Sequence, residues 1–110
     1  YFGFGEAYFS MIDRGIIKGW KRHTQMTLNI IVPVGSIRFV IYDDRIDSPT
    51  NNVFQDVILS RNNYQRLSVP PMLWMAFQGV EGSDNMLLNL ASIRHEPEEA
   101  EKKLLGKFQN

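Results

Sequence analysis

The chain has 110 residues, enough for one domain, and 44% of it is hydrophobic, enough for a core. Its 12 Lys and Arg balance 12 Asp and Glu, which gives no general attraction to nucleic acid or to a charged membrane surface. The absence of cysteine excludes disulfides, thiolate catalysis and zinc–sulfur centres, and no apolar run reaches the ~20 residues of a membrane helix. Nothing resembles a signal peptide, so the expectation is a soluble cytoplasmic protein. The opening at Tyr1 inside strand-like sequence predicts residues upstream, so 1–110 reads as a single domain truncated at its termini.

Short runs rich in Val, Ile, Phe and Tyr alternate with turn signals along most of the chain. Strands are predicted over 5–12, 15–20, 25–32, 36–43, 54–60, 65–69, 74–78 and 86–93. The turns between them include Asp13-Arg14-Gly15, Pro33-Val34-Gly35, Asp47 to Asn52, Arg61-Asn62-Asn63, Pro70-Pro71 and Glu81 to Asn85. This rhythm predicts an all-β jelly roll. The last segment, 97–105, carries acids early and lysines late, which suits a helix dipole and predicts a short C-terminal helix docked through Leu104 and Leu105.

The stretch 21–32 carries the most information. Lys21, His23, Gln25, Thr27 and Asn29 share one parity, and Met26, Leu28, Ile30 and Val32 share the other. On one continuous strand these sets lie on opposite faces. The polar face is either solvated or lines a wet cavity. The apolar face needs cover from a second sheet or a partner subunit, and with the exposed edges of so small a barrel it predicts a homodimer.

The only two histidines are His23 and His95. The Lys21 ammonium beside His23 favours the neutral ring, as a general base requires. The plainer reading makes His23 a structural or surface residue, and His95 a loop residue at the end of the last strand. No metal or other cofactor is expected. A mononuclear metal centre in such a barrel takes several His and a Glu, whereas this chain offers Lys21, His23 and Gln25, then Trp74 and Met75. Asp43 and Arg45 share a parity at the end of a strand, consistent with a local ion pair or with ligand binding. Lys18 and Arg22 are basic but point away from Lys21 on a regular strand. Trp20, Trp74, Phe77 and Tyr64 are packing aromatics first, with stacking on a base or sugar as the sharper alternative.

Several motifs, in order over residues 5 to 100, carry a resemblance to a known family. They are Arg14-Gly15-Ile16-Ile17-Lys18-Gly19-Trp20, the run Phe39 to Arg45 followed by Ser48-Pro49-Thr50, the segment Leu67 to Phe77 around Pro70-Pro71, and Arg94-His95-Glu96-Pro97-Glu98-Glu99. Together they resemble the dTDP-4-dehydrorhamnose 3,5-epimerases. The resemblance implies a metal-free, dimeric cupin-type jelly-roll barrel acting on a dTDP-linked 4-keto-6-deoxy sugar in cell-surface polysaccharide or lipopolysaccharide synthesis. In that family a His base removes protons beside the ketone and a Tyr is the acid.

This chain departs from the pattern at the chemistry. The family's base His falls on Lys21, its Tyr acid on His95, a second pocket His on Met75 and a pocket Lys near Leu28, while its opening Arg becomes Lys18. The acid partner of the base His is expected beyond Asn110. Gly19 to His23 matches a Gly-Trp-Lys-x-His pattern of a small branch of epimerase-like proteins. The expected site therefore has His23 as base, Lys21 stabilising the enolate and His95 as acid, with Lys18, Gln25, Asn29, Asp43 and Arg45 binding the substrate. The alternatives are a non-catalytic sugar-nucleotide binder and a sugar 3,4-ketoisomerase. Neither nucleic acid nor membrane is expected as a partner.

Overall fold

The computed structural model describes residues 5–82, 84–93 and 97–103. These residues form strands β1 (Glu6–Ile12), β2 (Ile17–His23), β3 (Leu28–Val34), β4 (Ser36–Tyr42), β5 (Phe54–Ser60), β6 (Leu67–Val69), β7 (Trp74–Gly79), β8 (Asn85–Ala91) and β9 (Ala100–Lys102). They pair antiparallel into a four-stranded sheet, β1-β8-β3-β6, and a five-stranded sheet, β5-β4-β7-β2-β9. The architecture is a cupin-type jelly roll.

Alternation decides which side chains meet between the sheets. On β4, Ile37, Phe39 and Ile41 point inward, and on β8, Leu87 and Ala91 do the same. Met26, Leu28, Ile30 and Val32 complete the core from the third strand and its approach, each at most 5% exposed. Their cover is thus the five-stranded sheet, and the homodimer expectation loses this face as its motive.

The outer face of the five-stranded sheet carries a second cluster. Phe54, Tyr42, Trp74, Arg22 and Glu101 lie opposite one another across all five strands. Phe54 stacks on Tyr42 at 4.4 Å, and the Arg22 guanidinium lies 4.7 Å from the Trp74 ring. Trp20 and Trp74 are buried in this cluster, while Tyr64 is exposed.

Two stretches differ from the sequence expectation. The continuous strand expected over 21–29 is two strands in different sheets. β2 ends at His23, the chain crosses over at residues 24–27, and β3 begins at Leu28. At the crossover the backbone donors turn to Glu99. Its carboxylate accepts from Gln25 N at 3.0 Å and Met26 N at 2.8 Å, and its carbonyl accepts from Thr24 N at 2.9 Å. Parity runs on through the bend, so one alternating pattern covers two elements. The helix expected over 97–105 is a single 3-10 turn, Pro97–Glu99, followed by β9, while Leu104 and Leu105 lie outside the described residues. The edge of β2 offers unpaired backbone groups, and β9 satisfies them over Lys21↔Lys102, Arg22↔Glu101 and His23↔Ala100.

Asn85, fully buried, ties three segments together. Its Oδ1 accepts from Ser36 N at 2.9 Å and Glu81 N at 3.2 Å, and its Nδ2 donates to Ile12 O at 3.0 Å. Gly35, at φ 78°, leaves room for it, since a Cβ there would stand 2.3 Å from Asn85 Oδ1. Asn85→Ala strands these backbone groups and is expected to lower stability by about 2–4 kcal/mol, read from the urea unfolding midpoint. An unchanged midpoint would refute this role.

Candidate active site

A cavity of about 570 Å³ opens between the two sheets. Its depth is apolar, with Met26, Leu28 and Ile30 on one side and Met75 and Phe77 on the other. Lys18, Lys21 and Lys102 line it together with His23, and no Asp or Glu is among the described lining residues. Lys103 also borders it but carries its ammonium 5.0 Å from the Trp74 ring on the outer face. A water-poor floor with a cationic wall suits a ligand having an anionic end and a neutral polar end.

Lys18 and Lys21 share this wall because β2 carries a β-bulge. Lys18 stands opposite Phe77 and Lys21 opposite Met75, so the four residues 18–21 face the three residues 75–77 of β7. A regular strand would send Lys18 to the other face. Lys21 also stands directly opposite Lys102 of β9. Burial first, and then the Lys102 ammonium, hold the Lys21 pKa below the ordinary lysine value, against the pull of Glu99.

His23 ends β2, 9% exposed, and borders the cavity. Its Nδ1 lies 2.7 Å from Glu99 Oε1, while Glu99 Oε2 takes the two crossover N–H groups. Burial raises the Glu99 pKa, but the His23 hydrogen bond and those N–H groups outweigh it and hold the carboxyl below its ordinary value. Ionised at neutral pH, Glu99 accepts only. His23 Nδ1 is therefore the donor, and in the neutral ring Nε2 is the nitrogen left with a lone pair, the tautomer that a base requires. Among the described residues, Glu99 is thus the carboxylate that holds the His23 ring.

The other expected residues are placed as follows. Gln25 contributes its backbone N–H to Glu99, and its side chain is exposed. Asn29 is buried away from the cavity, with Nδ2 donating to Leu90 O at 3.2 Å and Oδ1 accepting from Ser68 Oγ at 2.8 Å. Asp43 and Arg45 form the local ion pair. Arg45 Nε donates to Asp43 Oδ1 at 2.9 Å, and Ser48 and Thr50 hydroxyls donate to Oδ2. The Arg45 guanidinium holds the Asp43 carboxyl far below the usual carboxylate range. This cluster locks the turn after β4, and neither residue is among those lining the cavity. His95 lies outside the described residues. Among the described residues no group of three or more His, Cys, Asp or Glu converges.

Lining residues that escaped the sequence reading include Tyr8, Ser10, Asn89 and Lys102. The first was within reach. On β1, Glu6, Tyr8 and Ser10 alternate with Ala7, Phe9 and Met11, a polar row against a mostly apolar one. Lys102 and Glu99 needed the β2–β9 register, which no local pattern carries.

The Glu99 contact is testable. In Glu99→Gln, the amide oxygen serves the crossover N–H groups and its NH₂ donates to His23 Nδ1. That forces the proton onto Nε2. Nitrogen NMR of the His23 ring is expected to show the neutral-ring proton on Nδ1 in the parent and on Nε2 in Glu99→Gln, with the fold retained. The same tautomer in both would refute the assignment.

No family model matches the chain. It is 28% identical, over 87% of its length, to a probable low-salt glycan biosynthesis epimerase of Haloferax volcanii, and spans 62% of that protein. It superposes on a dTDP sugar isomerase from Desulfovibrio desulfuricans G20 with a TM-score of 0.94 and 37% identity, covering 97% of this chain and 69% of that one. On a dTDP-4-dehydrorhamnose 3,5-epimerase from Bacillus anthracis, solved with TDP and PPi bound, the TM-score is 0.85 and the identity 25%, over 94% of this chain and 61% of that one. With the cavity, the strand order and these likenesses together, the chain belongs to the sugar-nucleotide epimerase and isomerase family related to dTDP-4-dehydrorhamnose 3,5-epimerase.

Proposed function

We propose that the protein is a metal-independent epimerase of a dTDP-linked 4-keto-6-deoxy sugar. The observation that carries this reading is the His23–Glu99 pair at the wall of a cavity whose described lining includes Lys18, Lys21 and Lys102 and no carboxylate. Protons on carbons beside a ketone are acidic enough for an ordinary side-chain base. His23 Nε2 takes such a proton, the C–H electron pair moves into a C=C bond, and the carbonyl becomes an enolate oxygen. The Lys21 ammonium stabilises that oxygen in the partly desolvated cavity. Lys18 meets the diphosphate. The product enters assembly of a cell-surface glycan, in keeping with the glycan biosynthesis name of the Haloferax relative.

Proton NMR of the protein with dTDP-4-keto-6-deoxyglucose in deuterated water tests this directly. Loss of the signals beside the ketone, with inverted carbons in the product, is the expected result. A carbonyl moved to the neighbouring carbon would identify a ketoisomerase instead. Signals that persist while the protein's resonances shift would leave a binder without turnover.

The protein is further proposed to act as a homodimer, joined through the outer face of the four-stranded sheet. Phe9, Leu88 and Ile31 align across three strands there, and Met11 aligns with Met86. Phe9 is 64% and Met11 52% exposed, on the open edge strand β1. Light scattering is expected to return twice the chain mass, and Phe9→Glu the mass of one chain. A single-chain mass for the parent at micromolar concentration would exclude this assembly.

A further inference from the structure

Inverting a carbon requires two proton-handling groups, one on each side of the enolate plane. His23 occupies the wall built by the five-stranded sheet. The facing wall belongs to β1, β3 and β8, and its polar lining groups are Tyr8, Ser10 and Asn89. A chain of hydrogen bonds fixes their orientation. The backbone N–H of Asn29 donates to Asn89 Oδ1 at 3.0 Å, so the Asn89 NH₂ is the end that meets Tyr8, donating to its hydroxyl oxygen at 2.8 Å. The phenol oxygen is thus an acceptor toward the sheet, and its own proton is directed away from Asn89, toward the cavity.

We propose that Tyr8 is the catalytic acid, delivering a proton to the enolate carbon on the side opposite His23. This rests on the epimerase reading above. The Tyr8 O–H bond breaks, the enolate C=C pair forms the new C–H bond, and the enolate oxygen's pair restores the ketone. The phenolate left on Tyr8 and the imidazolium left on His23 return to their starting forms by exchange with solvent. Burial holds the phenol's pKa above its ordinary value, with Glu6 and Glu99 adding to it against the Asn89 hydrogen bond, so the group is a proton donor at neutral pH.

The experiment uses dTDP-4-keto-6-deoxyglucose in deuterated water, following deuterium entry and inversion separately. In Tyr8→Phe, His23 still removes and returns protons on its own side, so deuterium enters while inversion falls about 10²–10⁴-fold. Asn89→Asp gives a second route that leaves Tyr8 in place: a carboxylate there accepts from the phenol, withdraws its proton from the cavity and lowers inversion likewise. Parent-like inversion in a folded Tyr8→Phe, or in Asn89→Asp should Tyr8→Phe fail to fold, would overturn the role of Tyr8 alone. No deuterium entry with the parent protein would remove the epimerase reading and this role together.

Discussion

The Glu99 carboxylate stands where the chain passes from one sheet to the other. It accepts from the His23 ring and from the backbone of Gln25 and Met26. Each contact answers a different need. The two N–H groups belong to a bend with no strand neighbour, and left unpaired in the interior each would cost about 1–3 kcal/mol. The ring nitrogen fixes which side of His23 carries a proton. A buried carboxylate is costly by itself, and three donors around it reverse the balance. The crossover that delivers Met26 and Leu28 to the core is therefore also what orients the histidine.

The cationic wall has an equally local origin. One extra residue in β2 brings Lys18 back to the side of Lys21. The register of β9 then adds Lys102. The opposite face of the same strands is given to Trp20, Trp74 and Arg22, whose packing leaves β2 little freedom to slip. Inner chemistry and outer packing are thus the two faces of one bulged strand.

Much of this was legible in the sequence. Turn residues mark the strand boundaries between 5 and 93 closely, because Gly, Pro, Asn and Asp are placed there for backbone reasons that hold in any context. Alternation identified Lys21 and His23 as neighbours on one face, and Leu28, Ile30 and Val32 as core. It misled between His23 and Leu28, since period-two parity is blind to a change of sheet. Lys18 was put on the wrong face because a bulge without a distinctive residue leaves no mark. Asn29 and Asp43 looked like ligand groups because a buried polar side chain with a structural partner reads the same as one awaiting a substrate. Glu99 sat in an acidic run that suited a helix start, and only the pairing of β9 with β2 reveals its direction.

The juxtaposition of Lys21 and Lys102 links the edge strand to whatever the cavity holds. Like charges directly opposite each other weaken the pairing of two strands. An anion bound between the two ammonium groups would turn that repulsion into attraction, and a cavity so occupied would hold β9 more tightly than an empty one. Linkage makes the relation mutual: whatever secures β9 against β2 raises affinity for the anion by the same factor. Because β9 follows directly on Glu99, an anion held by these lysines would also help to retain the carboxylate at His23.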